Sequence, residues 1–226
     1  MNVILLCGGK GERLRPLTLE IPKPMVLVKG LPILWYILKQ LEKYNLSDIY
    51  LTVGYKSSVI KDYFAANFKN LSIKVIDNGD VDIIERVKSV TQIQPDEDVL
   101  ILYGDTIADV NIDNLISFNE KEKTRSTITV WPLSTDFGVV EFNDKMEVTE
   151  FKEKPRLNKW INIGYFILRK ESFKYLNEFD KFEDFLKFCG SSGILNAYKH
   201  EGHHLTVNSL VELDFVEKNI DKLFEI

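Results

Sequence analysis

Cysteine, histidine and uncancelled positive charge are all scarce in this 226-residue chain. Its two cysteines, Cys7 and Cys189, are too few for a disulfide framework, and the first ends an apolar run. Free thiols and a reducing compartment are therefore expected. Lys and Arg number 29 against 34 Asp and Glu, a formal net charge of −5. That balance argues against nonspecific binding of nucleic acid or of a membrane surface as the main role, so basic residues that matter must cluster locally. No apolar run approaches the roughly 20 residues of a membrane span. The run at residues 3–6 is too short for a signal-peptide core and meets glycine at once, so a cytoplasmic, soluble protein is expected. The three histidines, His200, His203 and His204, lack partners at metal-ligand spacing and are expected at the surface.

What is present can build a core: 45% of residues are hydrophobic and 28% charged. Residues 3–7, 49–53, 73–76 and 99–103 are short apolar runs, each stopped by glycine or by Asp-Asn-Gly. Runs of that kind suit strands buried on both faces. Between them, Ile33, Leu34, Ile37, Leu38 and Leu41 repeat at helical spacing behind Pro32, as do Val59, Ile60, Tyr63 and Phe64 behind Ser57 or Ser58 as a cap. This alternation predicts an α/β fold with a parallel sheet covered on both faces. From about residue 127 the rhythm changes. Residues 126–131, 138–142, 147–152 and 160–168 read as strands of a mixed or antiparallel extension, and 179–188 and 213–224 as helices. One domain is expected, with no linker and no repeat.

The stretch LLCGGKGERLRPLTLEIPKPM, residues 5–25, gathers glycine and basic side chains at the end of the first strand. Ligands of open α/β sheets bind beyond the carboxyl ends of strands. Glycine lets backbone amides turn toward one anion, and Arg13 and Lys23 add mobile charge. The dinucleotide pattern G-x-G-x-x-G fails for want of its last glycine, and G-x-x-x-x-G-K-[ST] is absent. Taken alone, the cluster fits a structural turn and a phosphate cradle about equally.

The full spacing is more specific. G-G-x-G-x-R-L-x-P-x-T followed by K-P resembles the nucleotidyltransferases that activate sugar 1-phosphates, through Gly8, Gly9, Gly11, Arg13, Leu14, Pro16, Thr18, Lys23 and Pro24. The segments YGDTIADVNIDNLISF, FGVVEF, EVTEFKEKP, KWINIGYFIL and AYKHEG resemble the cytidylyltransferase branch, so the likeness runs to about residue 218. It implies a three-layer α/β/α, Rossmann-like fold whose mixed, mostly parallel sheet carries a small antiparallel substrate-side extension. A single domain, 1–226, would divide into a nucleotide-binding half, 1–125, and an acceptor-binding half, 126–226.

The implied reaction moves CMP from CTP to a small phosphorylated acceptor with release of pyrophosphate, for cell-surface polysaccharide or capsule precursors. A phosphate monoester is largely ionised at neutral pH, so the nucleophile needs no protein base. The task is to bring polyanions together with cations, amides and a metal. By the resemblance, Arg13, Lys23 and Lys154 are the catalytic cations. Leu6, Gly8, Gly9, Gly11, Glu12, Arg13, Asp77 and Gly104 bind the nucleotide, and Glu153, Lys154, Asn162 and Gly164 bind the acceptor. Asp105 and Asn208 hold Mg²⁺, Asp109 stands behind them, and Asp113 caps a helix. Partners are CTP or another nucleoside triphosphate and the acceptor, with no nucleic acid, no membrane, and a homodimer.

Five residues depart from the branch. Asn208 replaces an aspartate, Ile84-Glu85 a glycine pair, Ile163 a glycine beside the acceptor pocket, and Glu12 a small hydroxyl residue. The extra carboxylate of Glu12 requires an outward orientation or a partner such as Lys10. These changes favour an acceptor other than glucose 1-phosphate: another sugar 1-phosphate, phosphocholine or phosphoglutamine. They leave open dTTP, GTP or UTP as donor, and a nucleotide-binding relative that does not react.

Overall fold

Strand Asn2–Leu6 runs parallel to Ile49–Val53 on one side and to Val99–Tyr103 on the other, and Ile73–Asp77 extends the sheet in the same direction. The computed structural model describes residues 1–68 and 70–224, without the side chains of residues 65 and 66. Beyond Val99–Tyr103 the direction reverses. Arg156–Leu168 is antiparallel both to that strand and to Ser126–Ser134, and Leu195–Lys199 closes the edge parallel to Ser126–Ser134. The seven strands thus lie in the order 195–199, 126–134, 156–168, 99–103, 2–6, 49–53, 73–77.

The continuous apolar runs follow from cover on both faces. Val3 and Leu5 enter a core with Leu100, Leu102 and the helix Ile33–Leu41, whereas Ile4 enters a second core with Ile101, Tyr50 and the helices Ile83–Thr91 and Phe182–Ser191. Alternate side chains of one strand therefore feed opposite layers, and each fully buried one contributes about 1.5–3 kcal/mol. Cys7 belongs to the first core and Cys189 to the second, so the sheet separates the two free thiols. Burial pushes the Cys189 thiol up to about 11.

Helix starts correct two expected caps. Asn111, not Asp113, caps Ile112–Lys121 by accepting from the Asn114 N–H at 2.9 Å. Ser57 is the first residue of helix Ser57–Asn67 behind a left-handed Lys56, and its hydroxyl donates to Asp77 at 2.6 Å. The helix Ile83–Thr91, absent from the sequence reading, is capped by Asp82, which accepts from the Ile84 N–H at 3.0 Å. The later helices are Phe182–Ser191 and Leu210–Asn219, each shifted by about one turn from its expected position. Two small antiparallel pairs complete the extension: Val139–Phe142 with Val148–Lys152, and Thr106–Ala108 with His204–Thr206. Among the described residues no helix is long and apolar enough to cross a membrane.

Candidate active site

The carboxyl ends of strands Asn2–Leu6 and Val99–Tyr103 open into a cleft of about 450 Å³. Leu6, Gly8, Gly9, Gly11, Glu12, Lys23, Gly104 and Asp105 all line it, eight residues that sequence alone singled out. Two glycines answer to their surroundings, Gly8 to a side chain and Gly11 to its backbone. A Cβ on Gly8 would fall 2.0 Å from the guanidinium carbon of Arg86, and Gly11 adopts φ 63°, a left-handed conformation costly for other residues.

Lys23 sits in the short turn Lys23–Met25, and its ammonium donates to the Asp105 carboxylate and, at 2.7 Å, to Asn208 Oδ1. Asp105 follows its strand directly, and pairing of Thr106–Ala108 with His204–Thr206 brings Asn208 alongside, with the Val207 N–H donating to Asp105 O at 3.2 Å. Glu212 accepts from the Asn208 N–H at 2.6 Å, and Asn208 Nδ2 donates to Thr206 Oγ1, so the amide oxygen is left to face the cation. One carboxylate and one amide oxygen thus converge on a single positive group. That hard-oxygen donor pair suits Mg²⁺, which takes one or two protein ligands and completes its shell with phosphates and water. Among the described residues no cluster of three or more His, Cys, Asp or Glu could hold a metal by itself.

Other expected residues stand apart. Arg13 is exposed, lies outside the cleft lining, and makes no ion pair or side-chain hydrogen bond among the described residues. The Asp77 carboxylate binds Ser57 Oγ, Lys61 Nζ at 3.0 Å and the Gly79 N–H at 3.2 Å, and these donors, Ser57 first, hold its pKa down to about 2. It anchors a helix start rather than lining the cleft. Glu12 pairs with Arg15 at 3.2 Å, while Lys10 pairs with Asp80 at 2.5 Å, so Lys10 is not the partner of Glu12.

On the acceptor side, Asn162 Oδ1 accepts from the Gly164 N–H at 2.9 Å, and Gly164 packs on the ring of Tyr103, a cleft-lining residue. Glu153 and Lys154 are exposed at the base of the ribbon Val139–Phe142/Val148–Lys152 and do not line the cleft. Ile163 is buried in the core rather than facing a pocket.

The histidines are not all on the surface. His200, buried, has its Nε2 2.9 Å from Asp109 Oδ1, and His204, half-buried, packs at a tilt of 46° against Trp131 with ring centroids 5.3 Å apart. Burial, with His200 nearby, lowers the His204 pKa to about 4. Asp109 also accepts from the His203 N–H at 2.7 Å, which fixes the turn before His204–Thr206.

The residue missed by sequence reasoning is Arg86. It lines the cleft, is only 3% exposed, and donates to the carbonyls of Val53, Gly79 and Val81. The available signal was Asp82 followed by Ile83, Ile84, Val87 and Val90 at helical spacing, which places position 86 on the same helix.

A glycine turn, a lysine and two side-chain oxygens meet at the strand ends, an arrangement suited to phosphate groups. The nucleotidyl transferase family model matches residues 2–204, and the chain belongs to that family. It is 30% identical over 244 residues to the glucose-1-phosphate cytidylyltransferase of Salmonella typhimurium, covering 96% of this chain and 95% of that one. To the D-glycero-alpha-D-manno-heptose 1-phosphate guanylyltransferase of Campylobacter jejuni it is 31% identical over 191 residues, covering 83% and 85%. The fold matches the crystal structure of HddC from Yersinia pseudotuberculosis with a TM-score of 0.75, at 22% identity and covering 97% and 99% of the two chains. The relatives use more than one base.

Proposed function

We propose that this nucleotidyltransferase moves CMP from CTP to a small phosphorylated acceptor, a sugar 1-phosphate or a phosphoamide such as phosphoglutamine, and releases pyrophosphate. The observation that carries this reading is the convergence of Lys23, Asp105 and Asn208 beside the Gly8–Gly11 turn, at the mouth of the parallel strands. CTP is supported by the Salmonella typhimurium relative, which spans nearly the whole chain. The Campylobacter jejuni relative supports GTP as the second reading.

The attacking oxygen is a phosphate oxygen already ionised at neutral pH, so the chain has only to position and neutralise. Amides of the Gly8–Gly11 turn receive the triphosphate, and Arg13, free of other partners among the described residues, folds onto it. Lys23 exchanges its two side-chain oxygen partners for phosphate oxygens. Asp105 and Asn208 would hold Mg²⁺, which supplies charge neutralisation on the phosphates. Asn162 and Gly164, behind Tyr103, border the acceptor, and Glu153 and Lys154 reach it from the ribbon base. In this reading residues 1–125 bind the nucleotide and 126–226 the acceptor, in one cytoplasmic domain. A homodimer belongs to it as well, supported by the uncovered apolar face of the ribbon.

The test is pyrophosphate release with CTP, GTP, UTP and dTTP, each against sugar 1-phosphates, phosphocholine and phosphoglutamine in Mg²⁺. Release with CTP and one acceptor is expected. Release with GTP alone would replace the donor, and no release with any pair would overturn the reading.

A further inference from the structure

Three backbone carbonyls, of Val53, Gly79 and Val81, converge at the floor of the cleft, and one guanidinium satisfies all of them. Arg86 Nη1 donates to Val53 O at 2.7 Å, and Nη2 donates to Gly79 O at 2.7 Å and Val81 O at 3.3 Å. Its side chain reaches there from helix Ile83–Thr91, pinned at its start by Asp82. A buried arginine is ordinarily neutralised by a carboxylate. Here, among the described residues, no carboxylate lies within ion-pair distance of Arg86; its hydrogen bonds go to carbonyls, with Asp77, Asp80 and Asp82 farther off.

The same guanidinium packs against the phosphate turn. The space a Cβ on Gly8 would take is filled by Arg86 Cζ and both Nη atoms, at 2.0–2.3 Å, and a Cβ on Gly54 would meet Nη2 at 2.9 Å. One side chain therefore touches the Gly8 turn, the end of strand Ile49–Val53 and the 79–81 loop. Gly8 lines the cleft on the first of these, Asp80 and Val81 on the last. Lys10 to Asp80 is the other link between those two walls, and it is an exposed ion pair of little strength.

We propose that Arg86 is the positioning residue of the nucleotide site. It holds the 79–81 wall at a fixed distance from the Gly8 turn, and it places a guanidinium beneath the turn that receives the polyphosphate. The inference rests on the cleft being the nucleotide site. Lysine at this position keeps the charge but offers a point donor that cannot span three carbonyls. Methionine fills similar space and removes both.

The experiment is calorimetric titration of wild type, Arg86→Lys and Arg86→Met with CTP and with GTP in Mg²⁺. Acceptor KM, kcat at saturating nucleotide and Tm are measured on the same samples. The nucleotide Kd is expected to rise about tenfold for Arg86→Lys and about a hundredfold for Arg86→Met. Acceptor KM stays within about twofold, because the acceptor wall does not touch Arg86. Arg86→Lys, which keeps a buried cation and loses the fork, decides the matter if Arg86→Met does not fold. Lower Tm with unchanged nucleotide Kd in the folded variants would reduce Arg86 to a structural role and overturn the proposal. Wild-type protein that binds neither nucleotide would overturn the reading of the cleft itself, and the proposal with it.

Discussion

In the proposed reaction Lys23 has two jobs that conflict, and the conflict is measurable. In the nucleotide-free protein its ammonium neutralises Asp105 and occupies the oxygens that suit a divalent cation. Lys23→Ala is therefore expected to lower turnover by about 100- to 1000-fold, the scale of losing one positioned charge at phosphorus. The same change is expected to raise the affinity of the nucleotide-free protein for Mg²⁺, read by calorimetric titration. Unchanged Mg²⁺ affinity would mean that Lys23 does not compete for that place. His204 gives a second residue-scale prediction. Its pKa is lowered to about 4, from 6.5 in the unfolded chain, by burial against Trp131. Between those values the unfolded chain takes up a proton that the folded one refuses, so stability is full above pH 6.5 and falls as the pH drops toward 4. The loss amounts to about 3 kcal/mol. His204→Phe keeps an aromatic ring against Trp131 and is expected to flatten this part of the profile, measured by urea unfolding at intervals from pH 7.5 to 4.5.

At the scale of elements, helix Ile83–Thr91 matters most, because it delivers Arg86 and Ile83 to the cleft. Asp82 ties its start to the start of helix Phe182–Ser191, accepting from the Ile84 N–H at 3.0 Å and the Phe182 N–H at 3.2 Å. Asp82→Ala removes both and is expected to cost about 1–2 kcal/mol in urea unfolding. Asp82→Asn, which keeps an acceptor, is expected to recover most of that. The helix escaped the sequence reading because its apolar positions follow a polar turn, 77–82, in which no strand or helix period is visible. The element types of the sheet were legible, since residues 49–53 and 99–103 are continuous apolar runs and proved to be strands with those same bounds. Helix ends were not, since caps such as Asn111 depend on which side chain reaches a free N–H.

Across the whole molecule, the ribbon stands out because, among the described residues, an entire apolar face of it is exposed. Phe142 stands opposite Val148 and Val140 opposite Phe151, which puts four apolar side chains on one face, exposed by 44–64%. Phe137 and Met146, in the flanking loops, are exposed as well. The four side chains of that face are uncharged, and the proposed homodimer would bury them. Sedimentation is expected to show a dimer for wild type and a monomer for the double variant Phe142→Ser with Phe151→Ser. A monomeric wild type at high protein concentration would leave the ribbon to some other role.

The sequence by itself determined the α/β class, the strands that carry the loops, and the glycine-lysine stretch that identifies the chemistry. Those features are local: a two-sided apolar run, a left-handed glycine and a fixed motif spacing report through neighbouring residues. Only the tertiary structure decided which side chains share one cation, because Lys23, Asp105 and Asn208 are distant in the chain and meet through strand pairing. It also drew His200 and His204 off the surface, set Asp77 to anchoring a helix, and put Arg86 under Gly8. Burial and partnership are properties of the packed chain, and no residue type or spacing encodes them alone.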